Sequence, residues 1–144
     1  MKNVIRIFLL SLVMMSPVHA GPFSDALARC VVEKTENDEK ILFIKWMYAG
    51  MSKHPQLAGL STISDRQSKQ LSQVTADMVV SLMVDRCTIE TQQAIDYEGE
   101  QAFVSAFEIL GTSSMMELMR NQRVNEYLSN LDQYIDEDEF SFIE

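Results

Sequence analysis

Residues 36–53 read ENDEKILFIKWMYAGMSK. Three acids, Glu36, Asp38 and Glu39, stand beside the capping oxygens of Thr35 and Asn37, a grouping that suits the positive end of a helix. From Ile41 to Met51 the segment is apolar nearly all round, and Lys45 is its single charge. A buried strand over 41–44 is the competing reading, but the length and the lack of turn residues favour a helix. A helix apolar on every side predicts a place at the centre of a bundle. Pro55 disfavours helical geometry at His54 and ends the segment.

Working outward, a first helix is expected over Ser24–Lys34, with Pro22 before it, Ser24 as its cap and Asp25 in its first turn. Phe23, Leu27, Cys30 and Val31 then share one face, which points Cys30 inward. Residues 55–63 (PQLAGLSTI) read as a loop whose Leu57, Leu60 and Ile63 tuck against the core. Ser64 and Gln67 have capping-box spacing, so a long helix starts there and runs from Asp65 to about Thr91 or beyond, with Ile89, Ala94, Ile95 and Tyr97 continuing its pattern weakly past a break near 88–92. Leu71, Val74, Met78 and Leu82 carry its apolar stripe, and Val79, Val80, Met83, Val84 and Cys87 widen it. Gly99 punctuates, and another helix runs from Glu100 to about Met119. Gly111-Thr112-Ser113-Ser114 predicts a kink in it, or a stop and a fresh start. Val124, Tyr127, Leu128, Leu131 and Ile135 mark a last amphipathic helix.

With Gly at 5 and Pro at 3, turns are too scarce for an all-β chain of 144 residues. The expectation is an all-α fold: a single compact bundle of five or six helices with one disulfide. It divides the chain into a signal peptide at 1–20, a helical domain at 21–135 and an acidic C-terminal tail at 136–144.

Residues 1–20, MKNVIRIFLLSLVMMSPVHA, carry the three-part layout of an export signal. Lys2 and Arg6 precede an apolar run from Ile7 to Met15, and Val18-His19-Ala20 fits a cleavage site. The run is too short to span a bilayer, so a cleaved leader and a periplasmic product are expected rather than a membrane anchor. Arg29 spoils the lipobox-like Leu27-Ala28-Arg29-Cys30, which argues against lipidation. Cleavage removes two bases and no acids, moving the formal charge from −9 to −11. That charge disfavours nucleic acid and favours a basic protein partner. The cysteines, Cys30 and Cys87, are expected to pair after export, since C-x-x-C redox spacing is absent. The bridge would staple the first helix to the third.

Catalytic constellations are not evident. His54 is the only histidine beyond the leader, and its place at a helix end suits a capping role. The chain has no nucleophile elbow, Walker A loop or dinucleotide fingerprint, and no cofactor is implied. Carboxylates Asp85, Glu90, Asp96, Glu98 and Glu100 cluster near a helix break, but surface acids are abundant and chance pairing accounts for them. Asp132, Asp136, Asp138 and Glu139 lack the glycine and spaced glutamate of an EF-hand. Met115, Met116 and Met119 place thioethers on one helix face, a soft-ligand pattern suited to Cu(I), although methionine is also an ordinary core filler.

Trp46 and Tyr48, in the stretch FIKWMYAGMSKHP (43–55), are side chains of the kind that anchor interfaces. Together with Cys30 and Cys87, this stretch resembles a group of uncharacterised small exported helical proteins of Gram-negative bacteria. The resemblance covers about half of the chain beyond the leader. It implies an all-helical periplasmic protein and carries no functional residues. The functional expectation is a non-enzymatic protein-binding module: an inhibitor, immunity factor or adaptor. Its contact residues would be Glu98 and Glu100 together with Asp136, Glu137, Asp138 and Glu139 of the tail. The alternative is a small-ligand or Cu(I) binder using Met115, Met116 and Met119 or an apolar cavity between helices.

Overall fold

The computed structural model describes residues 21–136, so the leader, and Glu137, Asp138 and Glu139 of the tail, lie outside the described residues. Among the described residues there are six α-helices and no strand: α1 (Pro22–Lys34), α2 (Asn37–Met51), α3 (Asp65–Val80), α4 (Thr88–Glu98), α5 (Gln101–Met119) and α6 (Gln122–Ser129). A π-helical turn, Ser81–Arg86, joins α3 to α4, and short 3-10 turns lie at Ala58–Leu60 and Asn130–Tyr134. The all-α bundle expected from the sequence is the observed architecture.

Local signals placed two helix starts correctly. At α2 the start is where expected but the cap is Glu36 and not Thr35 or Asn37: Glu36 and Glu39 form a reciprocal capping box, with the Glu36 N–H donating to Glu39 Oε2 at 2.9 Å. At α3, the Ser64 N–H donates to Gln67 Oε1 at 2.9 Å and the Gln67 N–H to Ser64 Oγ at 3.3 Å. The start of α1 differs from expectation. Ser24 lies inside the helix, and the free N–H groups of Phe23 and Ser24 donate to the Glu98 carboxylate at 2.9 and 2.8 Å. A carboxylate from the end of α4 therefore replaces the local cap and meets the positive end of the α1 dipole.

The centre of the bundle is α5, not α2. It packs against α1, α2, α4 and α6. Its buried face, Ala102, Ala106, Leu110 and Ser113, is built mostly from small side chains, and α1 answers with Ser24, Leu27, Ala28 and Val31. Small residues at such a seam let two helix axes approach closely. By contrast, α2 buries only Phe43 and Ala49, while Tyr48 and Met51 are exposed. Among the described residues only α3 and α5 cover it, so part of its apolar circumference is open to that extent.

The Gly111–Ser114 stretch does not stop α5, which runs through it to Met119. Ser113 and Ser114 are buried, and the Thr112 hydroxyl donates to the Glu108 carbonyl within the helix at 3.0 Å. The break after α3 falls earlier than expected. The Cys87 N–H bonds to the Leu82 carbonyl at 2.8 Å, a five-residue turn. In an α-helix these two residues would point about 140° apart. The wider turn stacks them, so both are fully buried and Cys87 reaches Cys30. The Cys30–Cys87 bridge closes there with Cα atoms 5.9 Å apart, and no cysteine is left free. Arg86, next to it, donates to the Lys34 carbonyl at 2.8 Å and grips Glu39 with both guanidinium NH groups at 2.9 and 2.7 Å, tying the α1–α2 corner to the same point.

Two apolar features are less covered than their patterns suggested. Leu57 and Leu60 are exposed instead of tucked inward. The loop that carries them is held by the Lys53–Asp65 ion pair at 2.7 Å. The last helix, α6, ends at Ser129, short of the expected stripe, so Leu131 lies in the following 3-10 turn and Ile135 beyond it, and Tyr127, Leu128, Leu131 and Ile135 all stay exposed. Among the described residues no helix is long and apolar enough to cross a membrane.

Candidate functional site

The uncovered side of α2 and the outer face of α5 together form an apolar groove of about 960 Å³. From α2 come Phe43, Trp46 and Met47. From α5 come Phe103, Val104, Phe107, Glu108, Gly111, Thr112, Met115, Met116 and Met119. Their spacing, i, i+1, i+4, i+5 and onward, is one continuous helix face, and at 1.5 Å per residue it extends about 24 Å. The α2 segment that is apolar all round thus spends its surplus surface on a wall of the groove, not on the core.

The aromatic side chains make the floor stiff. Phe43 packs on Trp46 with ring centroids 5.5 Å apart and on Phe107 at 6.2 Å, both in tilted geometry. Gly111 lies midway along, where a Cβ would come 3.9 Å from Phe43 Cε1, so the missing side chain widens the groove between the two helices. Met115 and Met116 are about half and nearly two-thirds exposed, and they give the far end an adaptable wall. Among the described residues Glu108 is the one charged residue in the lining.

The expected candidates divide between two places. Met115, Met116 and Met119 do come together, on the groove wall among aromatic and aliphatic carbon. Trp46 joins them, while Tyr48 does not. Glu98 has a structural task instead of a free surface. Besides the two backbone donors it accepts from the Ser24 hydroxyl, and these hydrogen bonds, the Ser24 hydroxyl foremost, hold its carboxyl below the ordinary range. Glu100 is exposed, as is Asp136, the first residue of the tail stretch. The carboxylate cluster near the helix break is scattered in role, since Glu98 is engaged in capping while Asp85 and Asp96 face solvent. His54 does not cap α2 carbonyls through Nδ1. That nitrogen accepts from the Gln56 N–H at 3.3 Å and shapes the turn.

Phe103 and Phe107 are not among the site candidates that the sequence offered, and in the structure they both pack against the buried cluster and line the groove. The α5 pattern is apolar on more than one face, and nothing local says which face is covered. No family model, curated protein or solved structure matches the chain.

Proposed function

We propose that the protein is an exported, non-enzymatic binding module that captures an amphipathic, basic helical segment of a partner protein in the α2–α5 groove, in the manner of an inhibitor, immunity factor or adaptor. The observation that carries this reading is the groove itself, a whole helix face about 24 Å long, apolar and with no helix laid on it among the described residues. Four turns of a guest helix would complete the packing that α2 and α5 begin. Flexible methionines along one wall suit a guest whose side chains vary.

Charge selects among guests. A fatty acid or phospholipid would bring its anionic head to a lining whose only charge is Glu108, inside a chain of net charge −9 with the leader and −11 without it. A lysine or arginine on a guest helix would pair with Glu108 instead. The leader reading supports a periplasmic location, and the bridge is compatible with that oxidising compartment. The copper reading would use the same three thioethers, and the same titration separates it.

Trp46 is the single tryptophan of the chain and lines the groove, so its fluorescence reports occupancy. A synthetic Leu/Lys amphipathic helix should shift its emission saturably, and more weakly at high salt. Glu108→Lys should weaken binding about tenfold or more, and Met116→Lys should abolish it with folding intact, because Met116 is largely solvent-exposed. A Leu/Glu peptide should not bind. Saturable binding of oleate or Cu(I) with no response to the Leu/Lys peptide would overturn the proposal.

A further inference from the structure

We propose that Glu98 is the receptor for the α-ammonium group that cleavage between Ala20 and Gly21 creates, so that removing the leader completes an ion pair fastening the start of α1 to the end of α4. The inference rests on the leader reading and is independent of the groove.

The geometry is specific to this end of the chain. The Glu98 carboxylate is ringed by the N–H groups of Phe23 and Ser24, at 2.9 and 2.8 Å, and by the Ser24 hydroxyl. The Gly21 N–H adds to the same stabilisation of the ionised carboxyl. A Cβ on residue 21 would lie 2.1 Å from Oε1 and 2.4 Å from Cδ, so the carboxylate occupies the space a side chain would need. Glycine at this position lets the carboxylate come this close, and any larger residue would push the end of the Glu98 side chain away; glycine is also the residue that follows the cleavage signature Val18-His19-Ala20. Next to the site, Phe23 stacks on Tyr97 with centroids 4.5 Å apart, which seats the beginning of α1 on the last turn of α4.

In the uncut chain the nitrogen of Gly21 is a neutral amide. Signal-peptidase hydrolysis adds one water across the bond: hydroxyl goes to the Ala20 carbonyl carbon and a proton to the Gly21 nitrogen. The resulting amine takes up a second proton from solvent at neutral pH. A full positive charge then stands where a weak neutral donor stood, beside an ionised carboxylate that already accepts from three other groups. Charge-assisted hydrogen bonds of this kind are roughly twice as strong as neutral ones.

The test uses the chain exported to the periplasm and purified, with its intact mass establishing the first residue. An ion pair that raises the α-amino pKa by about one unit above its ordinary 7.7–8.0 makes the α-amine acylate about tenfold more slowly at pH 7. Glu98→Gln keeps an accepting oxygen in place and should return the α-amine to the rate of an unstructured glycine peptide. Inserting one serine between Ala20 and Gly21 moves the amine off the carboxylate and should do the same. Equal rates in the unmodified and Glu98→Gln proteins, with identical circular dichroism, would overturn the pairing. A first residue other than Gly21 would overturn it through its cleavage premise. Neither result bears on peptide capture by the groove.

Discussion

Replacing both cysteines with alanine tests how the bundle is held. Cys30 and Cys87 are 57 positions apart, and the bridge joins α1 to the start of α4. In the chain-entropy account, opening a loop of this size frees the unfolded chain by about 4 kcal/mol, against a total of about 5–15 kcal/mol for a domain of ordinary stability. With a urea dependence of about 1.5–2 kcal/mol per molar, the unfolding midpoint should fall by about 2–3 M. The native state should change little, because both sulfurs are replaced by small apolar groups and Leu27, Val31, Leu82 and Leu110 still close the core around them. Far-ultraviolet circular dichroism should therefore match the oxidised protein at zero urea, while the slope of the transition rises because the unlinked chain exposes more surface. A loss below about 1 kcal/mol would refute the reasoning, as would coincident transitions for oxidised and reduced wild type. Either result would mean that packing, not the covalent tie, holds α1 in place.

Three further outcomes are expected. Arg86 holds the Glu39 carboxyl below its ordinary range, so this pair adds stability above the unfolded pKa that disappears as pH falls through the folded one. Glu39→Gln should cost about 1.5 kcal/mol at pH 7 and almost nothing once the pH is well below 4.5, and a constant difference across that window would contradict the assignment. Gly111→Ala should raise stability by about 0.5–1 kcal/mol, because the position is mid-helix and the new Cβ meets Phe43 at ordinary contact distance; a lower melting temperature would argue against an unstrained α5 there. Ser64→Ala should cost about 1 kcal/mol in urea unfolding by opening the α3 capping box, and no change would show that the helix start is held by other contacts.

What could be read without coordinates is local chemistry. The capping box at Ser64/Gln67 involves partners three residues apart, and the helical periods of α1 and α3 repeat within one or two turns. Pairing of Cys30 with Cys87 needed only a count of cysteines and the expectation of export. The misreadings have one origin, which is that a pattern shows a helix has an apolar face but not what meets it. The face of α2 is apolar all round, and only the finite number of neighbours decides that one side becomes a groove wall. Gly111-Thr112-Ser113-Ser114 looks like a break on propensity, yet small side chains are what a closely packed central helix requires, so burial overrides it. Glu98 reads as a surface acid and instead caps a helix that starts 76 residues earlier. Such a link depends on where two helix ends come to rest in space, which is set by long-range packing and the π turn that steers Cys87. Composition and periodicity thus settle which helices form, whereas the assignment of their faces to core, cap or groove belongs to the assembled bundle, because burial is a property of pairs of surfaces and not of any one segment.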